Sequence, residues 1–128
     1  MKHDIVDRKD LDKLMHVFYE TAMKDDLIGH YFNEVIQLDL VVHLPVIVDF
    51  WENVLFNSNS YSGNPMAVHK HIHHLSPFKS EHFDRWVNIF QKTVDELFEG
   101  DNSERIKQRA LSIATVMKVK LIYGGISK

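Results

Sequence analysis

The chain has 128 residues, 45% of them hydrophobic and 26% charged, with a formal net charge of −3 at pH 7. That length suits one domain spanning 1–128, and the composition is that of an ordinary soluble globular protein. A mildly acidic chain carries no basic stripe, so no nucleic-acid partner is expected. Cysteine is absent, which excludes disulfides and thiolate ligands and fits a cytoplasmic location.

The first four residues, Met1-Lys2-His3-Asp4, lack the apolar core of a signal peptide. The aliphatic stretch from Leu38 to Phe56 is broken by Asp39, His43, Pro45, Asp49, Glu52 and Asn53, so membrane insertion is not expected. Helical periodicity dominates and no segment alternates like a strand. The chain reads as all-α.

The first helix is expected over Asp10 to about Lys24, capped by Asp7 or Asp10, with Leu11, Leu14, Met15, Phe18 and Ala22 on its buried face. Tyr19 stands at the edge of that stripe. Asp25-Asp26 opens a short helical turn running through Leu27 to Phe32, with Gly29 inside it. The next long helix ends near Asn57. Pro45 leaves its start open: either near His43, or at a turn from Asp39 that kinks at the proline. His43, Ile47, Phe50 and Val54 fall on one face, a histidine at the head of an apolar stripe. Ser58 to Pro65 reads as a loop. A short histidine-rich helix follows, and Ser80 is expected to cap a helix reaching about Glu99. That helix buries Phe83, Trp86, Val87, Phe90, Val94 and Leu97. Gly100 to Ser103 stops it and caps a last helix over about Glu104 to Tyr123, closed by Gly124-Gly125.

Four of the six residues from His69 to His74 are histidine. Imidazole is the commonest protein metal ligand. A structural zinc site needs four protein ligands and a catalytic one three, and no His-Glu-x-x-His occurs. A carboxylate-bridged di-iron bundle would need Glu-x-x-His repeats, which are also absent. One axial histidine holding a haem asks for less: an imidazole on a short helix and an apolar slot. His69 and His73, four apart, share a face. Taken singly, each histidine reads as half-exposed and inert. Tyr19, His43 and Trp86 each sit on or beside an apolar face with a hydrogen to donate. Singly they read as core or rim residues. Together, on three helices, they are the donors one would place around a diatomic guest. The aromatic residues, Trp51 among them, serve a core or a porphyrin wall equally well.

The order and spacing of several segments resemble the truncated haemoglobins, and within them the third group. The segments are Leu14-Met15-His16-Val17-Phe18-Tyr19, His43-Leu44-Pro45 with Asp49-Phe50-Trp51, Tyr61-Ser62-Gly63-Asn64-Pro65-Met66, His82-Phe83-Asp84-Arg85-Trp86 and Gln108-Arg109-Ala110. The resemblance covers nearly the whole chain. It implies a shortened globin, two helix pairs stacked two-over-two around haem b (iron protoporphyrin IX). It implies distal ligand-binding roles for Tyr19, His43 and Trp86, and a pocket walled by Phe18, Phe32, Ile47, Phe50, Met66, Phe83 and Phe90. The iron ligand it implies is His69, four residues after the proline of Gly-x-Pro, with His73 the alternative and His71 next.

The expected function is reversible binding of dioxygen, with carbon monoxide and nitric oxide as further ligands, in a monomer or weak dimer. A haem enzyme, a nitric oxide dioxygenase or peroxidase served by an external reductase, is the second reading. A haem-free helical module binding a metal or a protein is the third.

Overall fold

The computed structural model describes residues 2–57 and 63–123. Most of the expected Ser58–Pro65 loop, the Tyr61-Ser62 part of the family motif and the Gly124-Gly125 stop lie outside the described residues. Five helices carry the fold: α1 (Arg8–Met23), α2 (Leu40–Phe56), α3 (Pro65–Leu75), α4 (Ser80–Leu97) and α5 (Asp101–Met117). The described residues contain no strand.

Helix α1 begins where the Asp7 carboxylate accepts the Asp10 N–H at 3.2 Å, satisfying one of the free donors of a helix start. Its buried face is Leu11, Leu14, Met15, Phe18, Tyr19 and Ala22, the expected stripe with Tyr19 drawn inside it. The chain then doubles back so closely that a β-carbon at Gly29 would meet the Met23 carbonyl oxygen at 2.7 Å. Asp25 opens the next turn by accepting the N–H groups of Leu27 and Ile28 at 2.9 and 3.1 Å. That turn widens over Tyr31–Val35, where the Ile36 N–H bonds the Tyr31 carbonyl five residues back at 3.1 Å.

Helix α2 starts earlier than one of the two expected registers. Asp39 caps it by accepting the Val41 N–H at 3.1 Å, and Pro45 lies in its second turn, where it has no N–H to give. Its fully packed residues are Leu44, Val48, Trp51 and Leu55. The stripe expected in the core, His43, Ile47, Phe50 and Val54, is half-buried and one residue round the helix. It flanks the core face and reaches toward the cavity described below. In α3 the Asn64 side chain accepts the Ala67 N–H at 3.1 Å and Pro65 occupies the first helical position, where its missing donor costs nothing.

Two expected caps differ. Ser80 is the first residue of α4, not its cap. The His82 imidazole instead reaches back to accept the Lys79 N–H at 2.8 Å. At α5 no side chain of Gly100–Ser103 caps the helix start. The group comes from the far end of the chain: Asp4 accepts the N–H of Asn102 at 2.9 Å and of Ser103 at 2.8 Å, and the Ser103 hydroxyl at 2.7 Å. Gly100, at φ 148°, leaves room for that carboxylate, whose own atoms a β-carbon would overlap. Local spacing cannot reveal a cap supplied across 98 residues.

The helices pack in two pairs, α1 with α2 and α4 with α5, joined by contacts of α1 on α4 and α2 on α5. The short α3 is set apart, touching the widened Tyr31–Val35 turn. Leu11, Leu14, Phe18, Phe90, Val94, Ile106 and Ala110 are fully buried where the pairs meet. None of the described helices is long and apolar enough to cross a membrane.

Asp4→Ala is expected to lower stability by about 1–2 kcal/mol at neutral pH, the usual worth of a helix cap. Burial pushes the Asp4 carboxyl up, but its hydrogen bonds from Ser103, Asn102 and Ile5 outweigh that and hold it below the ordinary range. Its stabilising effect is therefore complete above the unfolded-state pKa and fades as pH falls through the lower folded value. Urea denaturation of both proteins at pH 7 and at acid pH checks this: the difference between them should shrink on acidification.

Candidate functional site

Between the helix pairs and α3 lies a cavity holding about 1010 Å³ of space free of protein atoms, its mouth included. Its walls are aromatic and aliphatic. Phe18, Tyr19, Phe32, Ile47, Phe50, Phe83 and Trp86 line it, as do Tyr31, Trp51, Phe78 and His82. Met66 and Phe90 do not. Met66 packs against the smaller cluster around Phe83 and Met117, and Phe90 stands directly behind the wall, with no exposed surface.

Edge and face contacts between rings hold those walls. Phe18 meets Tyr19, Trp86 and Phe90 edge-on at 5.2, 6.0 and 5.4 Å. Trp51 and Trp86 both stack on Phe90, at 5.2 and 5.6 Å. Such pairs contribute about 0.5–1.5 kcal/mol each beyond the area they bury. Together they fix the direction of every ring on that side.

Polar groups in the wall are few. Helix α3 brings His69 to the cavity, nearly one turn before the buried Ile72, while Pro65 opens the same helix. The His69 Nδ1 lies 2.8 Å from the Pro65 carbonyl oxygen. A carbonyl only accepts, so Nδ1 carries the proton and Nε2 keeps a free lone pair. Burial lowers the His69 pKa, and its bond to Pro65 only partly offsets that. The imidazole is neutral at pH 7, the form a metal requires. His73 is spent otherwise: its Nδ1 accepts the Phe78 N–H at 2.8 Å and its ring stacks on Phe78 at 5.7 Å. His71 and His74 are exposed. Of the cluster, His69 alone lines the cavity.

Across the cavity from α3, the Tyr19 hydroxyl lies 2.9 Å from His43 Nε2, with the two rings edge-to-face at 5.3 Å. Burial pushes the Tyr19 phenol well above its ordinary pKa, so it stays protonated. His43 is lowered by burial and then by repulsion from His69. His43 itself is not part of the cavity wall. It reaches the cavity through Tyr19.

Among the lining residues that the sequence reading did not assign to the pocket are Tyr31, Trp51, Phe78 and His82. Trp51 carried a usable signal, lying four residues after Ile47 on α2. Tyr31 and Phe78 sit in irregular backbone, where periodicity says nothing. His82 was visible only within a motif. Its Nδ1 is taken up by the Lys79 N–H and lies 3.2 Å from the Tyr31 hydroxyl, which donates to the Pro77 carbonyl at 2.9 Å.

No family model matches the chain. A group 3 truncated haemoglobin of Campylobacter jejuni is 32% identical over 129 aligned positions, covering 98% of this chain and 99% of that protein. The crystal structure of a group III truncated haemoglobin from the same organism superposes with a TM-score of 0.84 at 30% identity, covering 94% of this chain and 95% of that one. The chain belongs to the group III truncated haemoglobins.

Membership of this globin family implies a haem, and the residues present fit one. An apolar cavity bordered by aromatic rings suits a macrocycle. The lone pair of His69 is the ligand an iron would need. Among the described residues one buried side-chain polar atom lacks a hydrogen-bond partner, the indole nitrogen of Trp51, and it belongs to a residue of this same wall.

Proposed function

We propose that this truncated haemoglobin binds haem b through His69 and reversibly binds dioxygen, with carbon monoxide and nitric oxide as further ligands. The observation that carries the reading is the His69 ring, one nitrogen tied to the Pro65 carbonyl at 2.8 Å and the other left free in an apolar cavity. Haem, when bound, would supply an iron able to take a diatomic molecule. The remaining chemistry belongs to the chain.

His69 would hold the iron through Nε2. Its Nδ1–H bond to a helix carbonyl fixes the tautomer and the ring angle and makes Nε2 the more basic ligand. His73, committed to the Phe78 N–H, would have to give up that bond to compete. Phe18, Phe32, Ile47, Phe50 and Phe83 would exclude water, and in a dry site each hydrogen bond to the guest counts for more.

Tyr19 would give its hydroxyl proton to the guest. To do so it must receive from His43, so His43 Nε2 would carry its proton and donate along the 2.9 Å contact. In the other arrangement Tyr19 donates to His43, and the hydroxyl has nothing to offer the cavity. A guest that draws electron density toward itself favours the first arrangement. Trp86 adds an indole N–H from α4. These donors are what distinguish an oxygen-retaining pocket from a purely apolar one. They would also serve a nitric oxide dioxygenase or peroxidase working with an external reductase.

In the hemin-loaded protein, His69→Gly should remove the iron's axial bond to protein, and added imidazole should restore it, both read in the absorption spectrum. Unchanged coordination would take His69 out of the role and leave His73 as the ligand. Tyr19→Phe should raise the dioxygen dissociation rate roughly 10- to 100-fold, as the loss of about 1.5–3 kcal/mol for a hydrogen bond to a charged group requires. Stopped-flow ligand replacement measures it, and an unchanged rate would remove Tyr19 from the pocket's chemistry.

A further inference from the structure

A porphyrin of the haem kind brings carboxylate side chains along with its apolar ring, and a carboxylate drawn out of water needs a group that donates to it. Among the described residues no lysine or arginine lines the cavity. The polar groups that do line it are mostly engaged. Tyr19 is bonded to His43, and Tyr31 donates to the Pro77 carbonyl. His69 is the residue placed to hold the iron, and both indoles lie stacked on Phe90 behind the wall. His82 remains.

Its ring lines the cavity and is half-exposed, so it stands at the mouth. Nδ1 accepts the Lys79 N–H at 2.8 Å and lies 3.2 Å from the Tyr31 hydroxyl. A nitrogen that accepts carries no proton, so the ring's hydrogen sits on Nε2. No described group accepts from Nε2. Nor is that nitrogen sealed off, since the one buried side-chain polar atom without a partner among the described residues belongs to Trp51. The surroundings suit an anion. His30 stands 6.3 Å from His82, ring to ring, and lies over Tyr31 at 4.0 Å. Burial lowers the His82 pKa, Glu81 raises it, and His30 and Lys79 lower it. Two basic side chains and one acidic one therefore act on this corner.

We propose that His82 receives a carboxylate of the porphyrin at the cavity mouth, its Nε2–H donating to a carboxylate oxygen. The proposal rests on the haem reading above and adds a second attachment to the one at His69. A donor already fixed by the helix start it closes needs no rearrangement to meet a charged acceptor, and such bonds are the stronger kind. An attachment on α4 would stop the ring turning about its bond to His69 on α3, and would slow its escape.

The test compares hemin with hemin dimethyl ester, which has the same ring and iron but no free carboxylate. Loss of each from the loaded full chain is followed by transfer to excess apomyoglobin. His82→Phe should speed the loss of hemin about 3- to 10-fold, the effect of one hydrogen bond open to solvent, and leave loss of the ester unchanged. Equal acceleration of both would make His82 only the acceptor that closes the start of α4, and hemin loss at the wild-type rate would leave it no part in retention. Either result overturns the proposal while the haem reading stands. Wild-type protein that takes up neither hemin nor its ester overturns both.

A second measurement needs no substitution. In the wild-type chain carrying isotope-labelled histidine and loaded with zinc protoporphyrin IX, the His82 Nε2–H resonance should lie downfield of its position in the protein loaded with the zinc porphyrin's dimethyl ester. Coincident resonances overturn the proposal.

Discussion

Phe90 is the hinge of this structure's logic. It has no exposed surface, yet it touches the rings that make the cavity wall: Phe18 from α1, Trp51 from α2 and Trp86 from its own helix. Interiors of this kind are packed as tightly as organic crystals, so a large cavity survives only where its walls are braced from behind. Three rings leaning on a fourth provide the brace. The cavity follows, and with it the separation between wall residues and the core that supports them.

Within that frame the polar groups are held by hydrogen bonds. His69 is anchored to the Pro65 carbonyl, Tyr19 to His43 and His82 to the Lys79 N–H. For His69 the bond occupies Nδ1 and leaves Nε2 for the cavity. Position alone would not fit His69 to hold an iron; the occupied Nδ1 does, because it decides which nitrogen carries the lone pair. By the same logic His73, four residues on, is withdrawn by its bond to the Phe78 N–H.

The helices were largely legible in the sequence, because amphipathic spacing and Asp, Asn, Pro and Gly punctuation are local signals. The buried face of α1 followed from periodicity alone. The α2 stripe came out one residue askew: four aromatic and aliphatic residues in register look the same whether they face a core or a cavity. The helix caps showed a sharper limit. Asp4 closes the start of α5 from the opposite end of the chain, and His82 substitutes an imidazole for the serine that spacing favoured. For the site, the histidine cluster announced metal chemistry, but only the three-dimensional placement of each ring separates His69 from its neighbours. Tyr31 and Phe78, in irregular backbone, left no periodic trace. Trp51 was hidden among other aromatics, and its unpaired nitrogen became visible only once its surroundings were known.

The central claim is that this cavity takes an iron porphyrin on one imidazole. An optical titration of the haem-free protein with hemin, followed by reduction and carbon monoxide, tests it most directly. The account predicts saturation at one hemin per chain, with a Soret band that sharpens and shifts under carbon monoxide. Protein that remains colourless, or that takes hemin without a saturable one-to-one end point, would contradict it.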